Sequence, residues 1–539
     1  MRNLQHLCSS FCTCDLHLLE TMRRLVITTL TWFLLFATLM NVAVANDVGI
    51  NWSRNSRLKL LPSNIVDMIL SNGIKKVRLH SFVGSVARAF TGSGLEMTTT
   101  VANIDMILVN SSRKAQAYVA ENMTKAYTRL DLNVKTIVVG NEPFTIVDNI
   151  TQMYQDDVVN AIGYISEAIP KQPSPINQIK ATMAHAPDIL LSTIQKPSDA
   201  DFNDNVNDRM VRILRVLNAS GAPLAINMYP HLHLLEKNFP LDFGFFDNDS
   251  PFTVKDGANT YTNIFDFVYD SFVWALKKNG FGNMKIIVTQ IGWPTDGHIY
   301  ANASTAQRFY KGFLKKMAND EGTPLLPKTR IEAYIYNLND ENMRDIAFRG
   351  PSIRHYGIYD FKGTPKFQVD LTMKNTTGGK LAPAQGVVPM PNRWCVYNPD
   401  AKIKEANRTG VLLEQFQIAC DHSDCTKLMY GGSLNNLTFE GNISYAFNDF
   451  FQANNQMETA CDFKGLGKIT VDDPSQTYEC QFPLQIISMI YSWGQGEMGN
   501  ILAARGANAV VSKTSAASLI KVSGFSTIVV PLLLSALVL

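Results

Sequence analysis

The sequence predicts an α/β protein, a (β/α)₈ barrel followed by a small, disulfide-bonded module. Between Asn46 and about Leu371, short runs rich in β-branched residues alternate with longer helical patterns. Such alternation indicates a parallel sheet, and a stretch of this length favours an eight-stranded barrel. Behind it, five of the eight cysteines fall between Cys395 and Cys480, which is typical of a compact module held by disulfides.

Composition and charge exclude some classes of function. The chain has 539 residues, of which 46% are hydrophobic and 18% are charged, as in a globular protein with a large core. Its 49 basic and 47 acidic residues nearly cancel, and no long basic run occurs in the interior of the chain, so we expect no nucleic-acid partner. An aromatic content of 10% with near-neutral charge suits an uncharged substrate that stacks on aromatic rings, such as a polysaccharide.

Six short runs are predicted to be barrel strands, with helical patterns between them. The predicted strands are 48–52, 74–79, 136–140, 223–229, 285–289 and 331–336, and the helices include 116–127 and 264–278. Several of these strands end in polar or aromatic residues, namely Asn51, Trp52, Asn141, Glu142, Asn227, Tyr229 and Gln290. Because the carboxyl ends of parallel barrel strands meet on one face, we expect these residues to lie together and form the functional site.

Residues 1–45 are predicted to be an N-terminal extension and a signal peptide. Met22 opens a basic stretch, the apolar run 25–40 follows, and small residues precede Asn46 as in a cleavage site. The apolar run is shorter than the roughly 20 residues that span a bilayer, which favours a signal peptide over a membrane anchor. Eleven Asn-x-Ser/Thr sequons agree with secretion, although we expect Asn51 to lie too near the barrel mouth to carry a glycan.

Residues 485–539 are predicted to be a spacer and a glycosylphosphatidylinositol (GPI) anchor signal. The uncharged apolar tail 525–539 follows a polar spacer, 521–524, and a cluster of small residues, 515–518. In such a signal the tail is removed and a lipid takes its place; a last buried helix is the alternative. We therefore expect a secreted protein held on the outer leaflet of the plasma membrane, facing the cell wall or apoplast.

Residues 372–392 are predicted to be a linker, because 376–391 is rich in Gly, Pro and Ala. The cysteines behind it fall within fewer than about 100 residues, which in a secreted chain indicates a disulfide framework. Their spacing lacks paired Cys-x-x-Cys units, so we predict no metal site. The sequence also indicates no cofactor.

Five segments, in chain order, resemble hallmark segments of glycoside hydrolase family 17, the plant endo-β-1,3-glucanases. They are Val139-Gly140-Asn141-Glu142-Pro143-Phe144, Asn227-Met228-Tyr229-Pro230, Tyr261-Thr262-Asn263, Ile291-Gly292-Trp293-Pro294-Thr295-Asp296 and Asp340-Glu341-Asn342. The resemblance covers 46–371 and implies a β-1,3-glucan substrate. It also implies the two-carboxylate chemistry of a retaining glycosidase.

In such an enzyme, one carboxyl group protonates the departing oxygen and the other attacks the anomeric carbon. By resemblance, Glu142 at the end of the fourth strand is the acid/base, and Asn141 beside it holds the sugar 2-hydroxyl. The resemblance places the nucleophile two residues before Gly-Trp-Pro, where this chain has Gln290. The other residues that the resemblance assigns to the substrate provide aromatic faces or hydrogen bonds: Asn227, Tyr229, Trp293, Glu341, Asn342 and Arg344.

The chain departs from the family pattern at three polar positions around the expected cleft. The amide of Gln290 is a poor nucleophile and carries no charge to stabilise an oxocarbenium-like transition state. Ile353 stands where the family usually has Glu, and Leu79-His80-Ser81 lacks the Asp that relatives carry after the second strand. Two interpretations stay open: an endo-1,3-β-glucosidase with reduced or altered hydrolysis, and a catalytically impaired, membrane-anchored protein that binds callose-like β-1,3-glucan. In both, the expected partners are glucan and membrane lipid, and we expect a monomer.

The cysteine-rich segment 393–484 resembles the carbohydrate-binding module of family 43, which binds β-1,3-glucan. The matches lie, in order, at 393–396, 419–425, 445–448, 460–463 and 480–483. The family pairing implies the disulfides Cys395–Cys461 and Cys420–Cys425. It leaves Cys480 without its partner, because Leu434 stands where relatives have a cysteine. Tyr445 and Phe447 are either glucan-binding residues or core residues.

Overall fold

The computed structural model describes residues 48–487, except 58–59, 81–83, 146–154, 375–378, 403–404 and 476–480, together with the isolated positions Arg23 and Thr28. Apart from Arg23 and Thr28, the predicted signal peptide lies outside the described residues, as do 488–539 of the predicted spacer and anchor signal, Ser81 and Cys480. Within the described part of the chain, no helix combines the length and the apolar character that a membrane span requires.

Eight parallel strands close into a barrel, which confirms the predicted fold class. They follow one another around the barrel in chain order, and the last pairs with the first. The barrel strands are β1 (Val48–Trp52), β2 (Lys76–Leu79), β3 (Glu96–Val101), β4 (Asn133–Asn141), β5 (Lys180–His185), β6 (Leu224–Met228), β9 (Ile286–Ile291) and β10 (Glu332–Ile335). Between β6 and β9 the chain forms a separate antiparallel hairpin of β7 (Val254–Asp256) and β8 (Asn259–Tyr261).

Helices follow the strands and pack against the outside of the barrel. They are α1 (Pro62–Ser71), α2 (Gly84–Ala89), α3 (Ser112–Arg129), α4 (Gln155–Ala168), α5 (Asn207–Ser220), α6 (Pro230–Lys237), α7 (Ile264–Lys278) and α8 (Ala303–Ala318). The predicted helix 264–278 coincides with α7, and 116–127 is the middle of α3. After β10, the described chain forms a 3₁₀ turn, Pro351–Arg354, in place of a further helix.

Burial on both faces explains why several barrel strands are continuous apolar runs. All five residues of β1 and all six of β9 are buried. The polar side chains in these strands are engaged inside the barrel. Asn51 is fully buried, and its Nδ2 donates to the carbonyl oxygens of Thr289 at 2.9 Å and Ile335 at 3.1 Å. An amide held in this way is inaccessible to glycosylation, in line with the sequence expectation.

The described part of the predicted linker is attached to the barrel. The Ala382 amide donates to Asn72 Oδ1 at 3.0 Å, and the Ala384 amide donates to the carbonyl oxygen of Gly363 at 2.9 Å. The side chain of Leu381 is buried in the barrel's hydrophobic core. This part of the Gly- and Pro-rich segment therefore runs along the barrel surface and is bound to it.

The C-terminal module contains two short two-stranded sheets, two α-helices and two disulfides. Its elements are β11 (Val388–Pro389), β12 (Trp394–Tyr397), α9 (Glu405–Asp421), α10 (Phe439–Ala453), β13 (Gly467–Thr470) and β14 (Ile486–Ile487). Strand β12 pairs with β13 and β11 pairs with β14, both antiparallel. Both implied disulfides, Cys395–Cys461 and Cys420–Cys425, are present.

Aromatic residues form the core of this module. Tyr445 is 4% exposed and Phe447 is fully buried, where it stacks on Phe463 with ring centroids 3.7 Å apart. The interpretation of Tyr445 and Phe447 as glucan-binding residues is therefore wrong, because neither ring reaches the surface. Leu434, at the position of the missing cysteine, is buried against Trp394 and Tyr445. Hydrophobic packing thus replaces a covalent link there.

Removing the longer disulfide is expected to destabilise the module more than removing the shorter one. Cys395 and Cys461 are 66 residues apart, whereas Cys420 and Cys425 are 5 apart. In the chain-entropy model, replacing both cysteines of a pair by alanine lowers the free energy of unfolding by about 4 kcal/mol for the first pair and about 2 kcal/mol for the second. Denaturant unfolding followed by near-UV circular dichroism measures both values. Equal losses would contradict the expectation.

Candidate active site

The predicted site residues meet at the carboxyl ends of the barrel strands. Asn141 and Glu142 end β4, Asn227 lies in β6 and Gln290 in β9. A cavity of about 210 Å³ opens there. Its described lining residues are Asn103, Asn141, Glu142, Thr145, Tyr229, Arg344, Asp345, Phe348, Arg349 and Ile353.

Both carboxylate oxygens of Glu142 are occupied by hydrogen-bond donors. Oε1 accepts from Asn227 Nδ2 at 2.6 Å and from the Tyr229 hydroxyl at 2.7 Å. Oε2 accepts from Nη2 of Arg349, with which it forms an ion pair. The Glu142 side chain is 9% exposed, so these partners largely replace its water. A carboxylate that accepts several charged and neutral donors is stabilised as the anion.

The backbone places Glu142 by an unusual conformation at the end of β4. Glu142 has a φ of 52°, in the left-handed region that residues with a Cβ rarely adopt, and Gly140 before it has a φ of 82°. The Glu142 amide donates to the carbonyl oxygen of Ala184 at 2.8 Å. Asn103 holds the intervening residue, since its Oδ1 accepts from the Asn141 amide and its Nδ2 donates to the Asn141 carbonyl. Strain of this kind is concentrated at functional sites.

Gln290 lies opposite Glu142, with one hydroxyl between them. The Tyr229 hydroxyl is 2.7 Å from Glu142 Oε1 and 2.8 Å from Gln290 Oε1, so the two oxygens are separated by no more than the sum of these distances. This upper limit is compatible with the roughly 5–5.5 Å between the two carboxyl groups of a retaining glycosidase. Gln290 is fully buried, is not among the described residues that line the cavity, and has its Nε2 3.4 Å from His80 Nε2. A carboxylate and an amide therefore face each other across the Tyr229 hydroxyl.

The pKa of Glu142 is lowered from its ordinary value. Burial alone would raise this pKa, but the charge of Arg349 and the hydrogen bonds from Tyr229, Asn227 and Arg349 outweigh burial. A general acid at neutral pH needs the opposite shift, because it must hold its proton until the leaving group takes it. Glu142 is therefore ionised at neutral pH.

Arg349 is one of several residues of this site that the sequence analysis did not single out, together with Arg78, Asn103 and Phe348. Its side chain is 12% exposed, and its guanidinium carbon lies 4.2 Å from the centre of the Tyr229 ring. Burial lowers the pKa of Arg349, but the Glu142 charge raises it above its ordinary value, so the arginine stays charged. The available signal was indirect: 341–354 contains three arginines, and its family glutamate is replaced by Ile353.

Among the predicted substrate residues, Asn141 and Arg344 line the cavity. Asn141 Oδ1 accepts from Arg78 Nη2 at 2.8 Å and from Asn227 Nδ2 at 3.2 Å. Asn227 is fully buried, so its amide orients Glu142 and Asn141 instead of meeting solvent. Tyr229 lines the cavity but presents its hydroxyl to the Glu142–Gln290 pair, and Arg349 covers its ring.

The prediction that Trp293 offers an aromatic face to glucose is wrong. Trp293 is fully buried, with its ring centroid 4.9 Å from that of Phe245 and 5.5 Å from that of Phe309 in α8. Its Nε1 donates to the carbonyl oxygen of Tyr300 at 3.0 Å. The Gly-Trp-Pro turn directs the indole outward between barrel and helix, because a ring of this size is stabilised by full burial.

Glu341 and Asn342 are likewise displaced from the predicted role, since neither lines the cavity. Glu341 is 2% exposed and accepts hydrogen bonds from the hydroxyls of Ser53 and Tyr336, the second at 2.5 Å. Asn342 Oδ1 accepts from the Arg57 amide at 2.9 Å. Both side chains therefore hold the chain that follows β10 against the segment that follows β1.

Glu142 has no second carboxylate opposite it within the described lining of the cavity. The other acidic lining residue, Asp345, is exposed on the rim and accepts from the Ala347 amide at 2.9 Å. Asp296, beyond the Gly-Trp-Pro turn, accepts from Ser433 of the C-terminal module. Ile353 forms an apolar part of the cavity wall. The described residues also contain no cluster of three or more groups that could hold a metal ion.

A closed, parallel eight-stranded barrel with polar side chains gathered at the carboxyl ends of its strands defines the class of (β/α)₈ barrel proteins. The family model for glycosyl hydrolases family 17 matches residues 48–371, and the chain belongs to this family. The model for the X8 domain matches 393–468, within the C-terminal module, which we call the X8 domain from here on.

Similar proteins agree with this assignment over most of the chain. The chain is 38% identical to glucan endo-1,3-beta-glucosidase 8 of Arabidopsis thaliana, covering 83% of this chain and 90% of the relative. It is 35% identical to glucan endo-1,3-beta-glucosidase 5 of the same plant, covering 84% and 91%. Among solved structures, CJP38, a beta-1,3-glucanase and allergen of Cryptomeria japonica pollen, is 29% identical with a TM-score of 0.55, covering 60% of this chain and 98% of that one.

Replacing Arg349 by methionine is expected to raise the pKa of Glu142, because burial raises this pKa and the opposing charge of Arg349 is then absent. Titration of labelled glutamate carboxyl carbons by NMR measures this, and Glu142→Gln assigns the signal. Arg308→Met, which breaks ion pairs on the outside of the barrel, is the matched control and should leave the titration unchanged.

The stability of the fold should follow the same shift. A carboxyl whose folded-state pKa is lowered stabilises the fold at pH values above its ordinary value of 4.5, and this contribution is lost as the pH falls through the lower folded-state pKa. The Arg349→Met variant should therefore lose less stability than the unmodified protein on acidification. An unchanged Glu142 titration in this variant would contradict the assigned cause.

Proposed function

We propose that this protein binds β-1,3-glucan in the barrel cleft and has lost the hydrolytic reaction of its family. The observation that carries the proposal is the charge state of the pair at the ends of β4 and β9. A retaining glycosidase holds one protonated and one ionised carboxyl group there. Here Glu142 is ionised and both its oxygens are occupied, while Gln290 is a neutral amide.

Neither half of the family reaction can proceed from this arrangement. Protonation of the departing oxygen requires a proton on the acid/base, and the donors around Glu142 keep it deprotonated. Attack on the anomeric carbon requires an ionised carboxylate at position 290, and an amide forms no glycosyl-enzyme. The two features reinforce each other: with a neutral amide at position 290, Glu142 is the anion that remains in the pair.

Two side chains that line the cavity support the binding of a glucan. Asn141 lines it, and no described residue bonds its Nδ2, which leaves this group to a ligand hydroxyl. Phe348 also lines the cavity and is 45% exposed, so it offers the apolar face that Trp293 does not. Exposed aromatic rings and amides are the groups that fit an uncharged sugar with alternating apolar and hydroxyl surfaces.

The proposal includes the location and domain plan inferred from the sequence. Secretion through the signal peptide, removal of the C-terminal tail and GPI anchoring would place the cleft at the outer face of the plasma membrane, against callose-like glucan in the wall. The supporting observations are the patterns in 1–45 and 485–539. The division into barrel, linker and module follows the limits 46–371, 372–392 and 393–484.

The unmodified protein is expected to release no reducing ends from a soluble linear β-1,3-glucan. Gln290→Glu should raise the rate by at least about 10²-fold, because it restores an ionised carboxylate opposite Glu142 and disfavours the charge of Glu142. Adding Arg349→Met should raise it further, since Glu142 then keeps its proton to higher pH. A reducing-end assay measures all three proteins.

The matched control is Glu142→Gln in the Gln290→Glu background, which should return the rate to that of the unmodified protein. Arg349→Met alone should stay inactive, because no nucleophile is present. Robust turnover by the unmodified protein would refute the proposed loss of hydrolysis and favour the alternative, an active endo-1,3-β-glucosidase.

Phe348→Ala is expected to weaken binding of a soluble β-1,3-glucan oligosaccharide about three- to tenfold, the effect of losing one aromatic contact. Met343→Ala is the control, because Met343 is 50% exposed in the same segment but does not line the cavity. Isothermal titration calorimetry measures both, with a β-1,4-glucan oligosaccharide to test specificity. Equal affinities of the two variants would contradict the cleft assignment.

A further inference from the structure

A second and larger cavity lies between the barrel and the X8 domain. Its volume is about 470 Å³, against about 210 Å³ beside Glu142, and it falls in the usual range of about 300–1,000 Å³ for small-molecule sites. The barrel contributes Ile346 and Arg354, and the X8 domain contributes Phe416, Gln417, Met429 and the Cys420–Cys425 disulfide, among others.

Buried and partly buried polar contacts fix the two walls of this cavity relative to each other. Ser433 donates from its amide at 2.8 Å and from its hydroxyl at 2.6 Å to the carboxylate of Asp296. His355 Nε2 lies 2.8 Å from Thr426 Oγ1, and both residues are buried. Polar groups removed from water are costly to leave unpaired, so these contacts hold the domains in one arrangement.

A third contact ties the cavity to the cleft that contains Glu142. Arg354 Nη1 donates to Asp424 Oδ1 of the X8 domain at 3.0 Å, and its Nε donates to the carbonyl oxygen of Arg344 at 2.8 Å. Arg344 and Arg349 line the cleft, while Ile346 and Arg354 line the second cavity. One stretch of chain, 344–354, therefore contributes to the walls of both.

The lining of the second cavity suits a neutral, polyhydroxylated ligand. Phe416, Met429 and Ile346 form apolar surface, and Gln417 and Asp421 add exposed polar groups joined by a 2.6 Å hydrogen bond. The charge of Arg354 is balanced by Asp424, so the lining does not require an ionic ligand. Apolar surface beside amide, carboxylate and guanidinium groups is what the faces and hydroxyls of a sugar require.

The X8 domain needs such a surface if it contacts glucan at all. Tyr445 and Phe447, the aromatic residues that the sequence singled out, are both in its core. Phe416 is partly buried at the edge of that core and faces the cavity. Gln417, Asp421 and Met429 are exposed, so the cavity opens to solvent on this side.

We propose that the cavity between the barrel and the X8 domain is a second binding site for β-1,3-glucan, built jointly by the two domains. The choice of ligand rests on the proposed function, whereas the existence of the site rests on the contacts above. The site exists only while the X8 domain is docked, because each domain supplies one wall.

The test is calorimetric titration of the full secreted chain with a linear β-1,3-glucan oligosaccharide, where two sites per protein are expected. Gln417→Ala should weaken one of them about three- to tenfold, as expected for a lost hydrogen bond. Phe416→Ala should abolish that site. Phe439→Ala is the matched control, because Phe439 is 51% exposed at the start of α10 and does not line the cavity.

The use of two variants distinguishes a loss of glucan binding from unfolding of the X8 domain. Gln417 is exposed on a helix, where alanine is well tolerated, so its variant keeps the test valid if Phe416→Ala unfolds the domain. Weaker binding at one site in Gln417→Ala, with binding unchanged in Phe348→Ala, would support this cavity and refute binding in the cleft. A single site that only Phe348→Ala weakens, or unchanged binding in Gln417→Ala, would overturn the proposed second site and leave the cleft assignment intact.

Discussion

The ion pair between Arg349 and Glu142 is the interaction on which the chemistry of this site depends. Besides Arg349, Arg344 and Arg78 lie close to Glu142; Arg344 is paired with Glu341, whereas the fully buried Arg78 has no carboxylate bonded to it among the described residues. Burial lowers the pKa of Arg78 to about 10, so it remains charged. A neutral Glu142 would leave two buried cations uncompensated, which is costly in a low-dielectric interior. The arginines therefore keep Glu142 anionic, and an anion donates no proton.

In the proposed function, the neutral amide at position 290 reinforces this constraint. An ionised residue at position 290 would repel the charge of Glu142 across the Tyr229 hydroxyl and favour protonation of one of the pair. Gln290 removes this repulsion while its amide keeps a hydrogen-bonding partner in the same place. The proposed function therefore describes a cleft that holds a sugar chain without the proton that hydrolysis requires.

Sequence patterns predicted the barrel, the strand ends and the covalent frame of the module, because apolar periodicity and ordered motifs are local signals. Strand β3 was not predicted, since three of its six residues are threonine and the run is short on aliphatic side chains. The direction of Trp293 and the partner of Arg349 depend on contacts between distant segments: Arg349 is 207 positions from Glu142. No local sequence pattern records such a contact, which explains why the role of Arg349 was not predicted.

The polar contacts between Asp296 and Ser433, and between His355 and Thr426, also limit how this chain can be recombined. Modular wall proteins are often treated as exchangeable cassettes on flexible tethers. Here the receiving surface consists of side chains in the loops that follow β9 and β10. An X8 domain moved to another barrel would form these hydrogen bonds only if that barrel carried the corresponding side chains in the same two loops. Barrel and X8 domain are therefore expected to be inherited, and to diverge, as one unit.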